Sequence, residues 1–284
     1  MSIKKRYVIP LFLFVGLYGI TQLDIFSFKE SPKKQIEMLQ QATGKTPTVA
    51  CYRVEQQQIQ YTHIGDQSLP LIIFVHGSPG SASAYLDYLK DKRLLQKAQL
   101  IAVDRPGFGN SNFGRTETGL DKQAKAFLPL LEKYNTGNTI LVGHSFGGPV
   151  IAKMAMDFPD LVSGLVIVAG SIDPDLEPKT WWRKLLNWRI IRWLLPDALR
   201  VCNQEILPLE GELRKMLPFW KNITAPVTVI QGEADNLVPK GNADFAKKML
   251  VNSEKVTIDI VKDGNHFILW SLQDRIVDAI LKFM

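Results

Sequence analysis

The run Gly143-His144-Ser145-Phe146-Gly147-Gly148 places a serine with glycine two residues to either side. It follows the apolar stretch TILV and precedes VIAKMAM, so it falls between a strand and a helix. A serine on such a turn projects its hydroxyl from strained backbone, and the glycines let strand and helix approach closely. Pro149 falls in the first helical turn, where a missing N–H is tolerated. A serine hydroxyl attacks poorly until a histidine takes its proton and an acid orients that histidine. The chain has four histidines. His144 adjoins the serine and is expected to point away at the end of its strand. His63 falls in the second strand and reads as surface, and His76 opens a glycine-rich loop. His266, in Asp263-Gly264-Asn265-His266-Phe267, lies between the last strand and the last helix, at the sheet edge that also carries Ser145, and is the candidate base. Asp235 follows the seventh strand at that edge and is the candidate acid, ahead of Glu233 and Asp263, which read as solvated loop acids. Acyl transfer also needs donors for a developing oxyanion. The Phe146 N–H can supply one and the Ser78 N–H, in the loop His76–Ser81, the other, while Ser81 can cap the helix that follows.

These residues need a sheet whose strand ends converge. Short β-branched runs alternate with helical periods from about residue 48, the pattern of βα units and a largely parallel sheet. Strands are expected near 49–54, 57–64, 70–76, 99–104, 139–144, 162–169, 226–231 and 255–261, and helices near 81–97, 118–134, 146–157, 240–250 and 267–283. Most central strands are apolar throughout, as strands buried on both faces should be. The fold class is therefore α/β, with an eight-stranded, mostly parallel sheet and helices on both faces. The alternation stops once, between 171 and 224, which holds five of the six tryptophans and is broken at Pro196, Pro208 and Pro218. This stretch reads as a helical cap inserted after the sixth strand. Residues 179–200 hold six basic residues and one acid, Asp197. Their apolar side chains surround the helix, so burial between two layers is expected, with contact to a membrane surface as a second possibility. Trp181, Trp182, Trp188 and Trp193 are expected to line an apolar or aromatic pocket. The division is 1–30 as an N-terminal membrane anchor or signal segment, 48–172 and 223–284 as the core, and 173–222 as the cap.

With 46% hydrophobic and 22% charged residues among 284, the chain is neither disordered nor disulfide-stapled. Cys51 and Cys202 could form at most one disulfide. A net charge of +6 with no long basic run argues against nucleic acid as a partner. Residues 7–23 are 17 uncharged, mostly apolar residues, preceded by Lys4, Lys5 and Arg6 and closed by Asp24. At about 1.5 Å per residue they reach roughly 25 Å, against a hydrocarbon core of ~30 Å. No good cleavage site follows, so an uncleaved membrane anchor is preferred to a signal peptide. The flanking lysines leave orientation balanced, and the basic start of the chain favours a main domain on the translocated, extracytoplasmic side.

Four motifs, HGSPGS (76–81), DRPGFGNS (104–111), GHSFGG (143–148) and the pair QGEADNLVP (231–239) and DGNHF (263–267), occur in an order that resembles the α/β-hydrolase superfamily over roughly residues 48–284. The chain is most similar to the group with an H-G-x-P-G loop and a helical cap. That group includes esterases, proline iminopeptidases, carbon–carbon bond hydrolases, epoxide hydrolases and dehalogenases. Ser145 stands where similar epoxide hydrolases and haloalkane dehalogenases have an aspartate nucleophile, and GHSFG where proline iminopeptidases usually show G-G-S-W-G. By resemblance, Asp104, Arg105 and Gly107 to Gly109 shape the loop after the fourth strand. The resemblance implies a serine esterase that cleaves a small or medium carboxylic ester through an acyl-enzyme, with the triad Ser145, Asp235 and His266. The alternatives are a carbon–carbon hydrolase or an amidase or peptidase with the same triad, or a non-catalytic ligand receptor on the same fold. No cofactor is expected. No metal is expected either, since the histidines lack paired ligand spacing; separately, no phosphate-binding glycine motif occurs.

Overall fold

The computed structural model describes residues 27–179 and 181–284. Eight strands form one sheet: β1 (Thr48–Val54), β2 (Gln57–Ile64), β3 (Leu71–Val75), β4 (Gln99–Val103), β5 (Thr139–His144), β6 (Gly164–Val168), β7 (Val227–Gly232) and β8 (Val256–Val261). Their spatial order is β1-β2-β4-β3-β5-β6-β7-β8. β2 pairs antiparallel with β1 and β4, and all other neighbours are parallel. β3 to β6 are buried along their whole length. Successive side chains go to opposite faces, so Leu71, Ile73 and Val75 join one hydrophobic cluster and Ile72 and Phe74 the other.

A helix before the sheet, α1 (Pro32–Thr43), was not among those expected, although its caps are legible. Ser31 caps its first turn, Pro32 pre-sets φ, and Gly44 at φ 69° closes it in the left-handed conformation. Gln35 accepts from the Thr62 hydroxyl and Leu39 is buried, which docks α1 on the sheet. The single helix expected over 118–134 is two, α2 (Leu120–Ala126) and α3 (Leu128–Tyr134). Pro129 has no N–H to continue the ladder, so the helix restarts there. The stretch expected as a helix over 81–97 is likewise three short turns, restarted where Asp91 caps the Arg93 and Leu94 amides. α4 (Gly147–Asp157) follows β5.

Between β6 and β7 lies a helical insertion of α5 (Trp182–Leu186), α6 (Arg189–Leu194), α7 (Asp197–Ile206) and α8 (Leu209–Met216). Leu209, Leu213, Met216 and Trp220 join the core cluster beneath α4. The expected burial of 181–195 between two layers is not what is found: Trp181 is 72% and Trp188 64% exposed, and Trp182 and Trp193 are also exposed. The core ends with α9 (Gly241–Met249), α10 (Ile268–Ser271) and α11 (Gln273–Leu281). Cys51 and Cys202 are both free thiols.

The expectation of a membrane-anchored protein is corrected. It combined a transmembrane helix, a membrane partner engaged through the N-terminal segment, and a domain on the translocated side. Among the described residues no helix is long and apolar enough to cross a membrane. The longest, α1, has 12 residues and a charged, exposed face, against the roughly 20 apolar residues that a span needs. The apolar run 7–23 lies outside the described residues.

Candidate active site

The carboxyl ends of the parallel strands converge on a cavity of about 760 Å³. Ser145 follows β5 and lies in this cavity with φ 53°, a strained conformation for a residue with a Cβ. The glycines on either side make that turn possible. A Cβ at Gly143 would sit 2.4 Å from the Gly147 carbonyl oxygen, and one at Gly147 would sit 2.1 Å from that of Val75. Only glycine lets β5, β3 and the start of α4 come so close.

His266 lies in the loop between β8 and α10 and lines the same cavity. Its Nδ1 donates to Asp235 Oδ2 at 2.8 Å. A carboxylate only accepts, so Nδ1 carries the proton and Nε2 is left as a base. Asp235, buried after β7, takes the Leu237 and Val238 amides on Oδ1 at 2.9 Å each. Burial works to raise its pKa, but the bond from His266 and those two amides outweigh it and hold the carboxyl below its usual range. Glu233 is exposed, 3.6 Å from the Lys240 amine, and Asp263 is exposed at φ 55°. Neither is bonded to His266.

Phe146 stands at the N-terminus of α4, where free amides and the helix dipole favour negative charge. Ser78, in the loop after β3, lines the cavity. Among the described residues neither of their N–H groups donates to a protein acceptor, so both are available to a ligand oxygen. Ser145, His266 and Ser78 line one cavity, and the Phe146 amide follows Ser145 directly in the chain.

Two histidines are not where the sequence reading puts them. His63 is buried, its Nε2 3.2 Å from Gln99 Oε1 and its ring stacked on Tyr134. His144 does not point away. Its Nε2 donates to the His266 carbonyl at 3.1 Å, and its ring packs 4.9 Å from that of His266 and 5.2 Å from Trp270. Burial, and secondarily the neighbouring His266, lower its pKa from 6.5 to about 4. The unfolded chain therefore binds more protons between those values, and this contribution to stability is complete above pH 6.5 and lost as pH falls towards 4. It amounts to at most about 3 kcal/mol. His144→Gln is expected to flatten the fall in melting temperature between pH 7 and pH 4.5. An unchanged slope would show that His144 is not the group responsible.

The cavity walls also differ from expectation. The aromatic residues lining it are Phe28, Phe267 and Trp270 rather than the tryptophans of the insertion. Trp270, on the short helix α10 that follows His266, packs its ring 5.2 Å from that of His144 and 5.9 Å from that of Phe267. Phe28 belongs to the segment assigned to the anchor. It is held over the cavity because Ser81 and Ser83 donate their hydroxyls to its carbonyl. No local signal in the sequence points to that contact.

A family model described as alpha/beta hydrolase fold matches residues 70–189. A 2-hydroxy-6-oxononadienedioate/2-hydroxy-6-oxononatrienedioate hydrolase from a Pseudomonas species is 21% identical over 250 residues, covering 75% of this chain and 87% of that protein. A 2-(acetamidomethylene)succinate hydrolase from Mesorhizobium japonicum is 23% identical over 249 residues, covering 76% and 88%. Among solved structures, a membrane phospholipase A described as a bacterial virulence factor superposes with a TM-score of 0.63 at 16% identity, over 97% of this chain and 99% of that one.

Proposed function

The chain belongs to the α/β-hydrolase fold superfamily, and from that premise we propose that it is a serine hydrolase working through a covalent acyl-enzyme. The observation that carries this is the 2.8 Å bond from His266 Nδ1 to Asp235, made beside a serine held at positive φ in the same cavity. Ser145 Oγ attacks a carbonyl carbon and passes its proton to His266 Nε2. The Phe146 and Ser78 amides hold the oxygen that becomes negative. Collapse breaks the bond to the leaving group, which takes the proton from His266. Water then gives a proton to His266 and its oxygen to the acyl carbon, releasing an acid and restoring the serine hydroxyl.

For the bond cleaved, the relatives support a carbon–carbon or amide bond ahead of a simple ester. One is named for a 6-oxo dioate and the other for an acetamido-substituted succinate. A carbon leaving group departs only if its electron pair is delocalised, which a vinylogous ketone provides. The ester reading is second, favoured by the cavity's charge. Both relatives' named substrates carry two carboxylates. Here the described lining offers one cation, Lys29, next to an acid, Glu30, among aromatic walls. The substrate of this chain is accordingly less anionic and more apolar than theirs. The test is kcat/KM on vinylogous 1,5-diketones, N-acyl enamines and p-nitrophenyl esters of matched acyl length. Each value is divided by its uncatalysed rate, because activated esters are intrinsically labile. The diketones or enamides are expected to show the largest ratio, and a larger ratio for the esters would reverse the order of the two readings.

A further inference from the structure

Arg105, in the loop after β4, is fully buried and faces an equally buried Glu205 on α7 of the insertion. Every N–H of its guanidinium has an acceptor. Nε donates to the His76 carbonyl at 2.8 Å, and Nη1 to Gln123 Oε1 at 2.9 Å and Glu205 Oε2 at 2.8 Å. Nη2 donates to the Gly77 carbonyl at 3.0 Å and to Glu205 Oε1 at 2.9 Å. Five donors in a rigid fork are thus all used, which three donors on a lysine could not do.

The Gly77 carbonyl belongs to the same peptide plane as the Ser78 N–H. That peptide is trans, so the two point in opposite directions. His76 Nδ1 also donates to the Gly77 carbonyl, at 2.7 Å, and His76 Nε2 in turn accepts the Arg105 amide at 2.9 Å. Anchoring the carbonyl on the arginine therefore turns the Ser78 N–H the other way. The guanidinium also lies 4.5 Å over the ring of Phe146, the residue with the second amide donor. One side chain touches both halves of the oxyanion site. A buried ion pair adds little net stability over apolar residues of the same volume, so its contribution here is direction.

We propose that Arg105, clamped by Glu205, is the positioning residue of the oxyanion site, and that through this pair the site depends on the seating of the helical insertion. The proposal rests on the acyl-enzyme reading of Ser145. It makes Arg105 act through the Gly77–Ser78 peptide and Phe146 without touching the substrate.

The test uses the full-length protein and three variants, Arg105→Lys, Glu205→Gln and the apolar pair Arg105→Met with Glu205→Leu. For each, the rate of Ser145 labelling by a fluorophosphonate, kcat and KM on the best substrate, and the melting temperature are measured. So are the inhibition constants of a trifluoromethyl ketone, which forms an oxyanion adduct, and of the matching methyl ketone. Loosening one amide donor is expected to lower the labelling rate and kcat roughly 10- to 100-fold in Arg105→Lys and the double variant. Trifluoromethyl ketone binding should weaken by the same factor, with KM and methyl ketone binding within threefold. A folded double variant with kcat and labelling within threefold of wild type would overturn the proposal. So would failure of all three variants to fold, which would make the pair a folding element. Absence of labelling in the wild type would instead remove the acyl-enzyme reading, and this proposal with it.

Discussion

Ser145→Ala is expected to lower kcat on any accepted substrate by roughly 10⁴ to 10⁶, and His266→Ala by nearly as much, because members of a triad act as a unit. The double variant should be little worse than either single one. Folding should be kept in Ser145→Ala. Among the described residues the hydroxyl makes no hydrogen bond that alanine would lose, and alanine occupies the same strained backbone at similar cost. Melting temperature and kcat measured on the same preparations separate the two effects. Turnover within tenfold of wild type in Ser145→Ala would remove the serine from the reaction.

Asp235→Asn should lower kcat by roughly 10³ to 10⁴, and the reason is in the bonding of Asp235. The Leu237 and Val238 amides both donate to Oδ1, so an asparagine must keep its carbonyl oxygen there and turn its NH2 towards His266. Nδ1 then becomes an acceptor, the proton moves to Nε2, and the imidazole can no longer take one from Ser145. Glu233→Gln should leave kcat within about twofold, since Glu233 is exposed and its ion pair with Lys240 is a surface contact. The reverse ranking in a steady-state assay would reassign the acid.

What could be read from the sequence is what local pattern determines. The turn at Ser145 is written in five consecutive residues, and the positions of Asp235 and His266 follow from where β7 and β8 end. All eight strands lie close to where the sequence pattern puts them, and for β3 to β6 the reason is that strands buried on both faces need uninterrupted apolar sequence. What was missed depends on contacts between distant segments. Glu205 meets Arg105 across 100 positions, and neither residue's neighbours announce the other. Phe28 reaches the cavity only because hydroxyls at Ser81 and Ser83 hold its carbonyl. Even His144, adjacent to the serine, could not be placed: whether it turned away or packed behind His266 depended on the position of a loop 122 residues later. The tryptophans of the insertion show the converse. Composition suggested a pocket wall, while Phe28, Phe267 and Trp270, none of them in the insertion, supply it.

The acyl-enzyme role of Ser145 is tested most directly by peptide mass spectrometry of the full-length protein after reaction with a fluorophosphonate. A single adduct on Ser145, prevented by His266→Ala, is the expected result. An unmodified Ser145, or label on other serines while Ser145 stays bare, would contradict it.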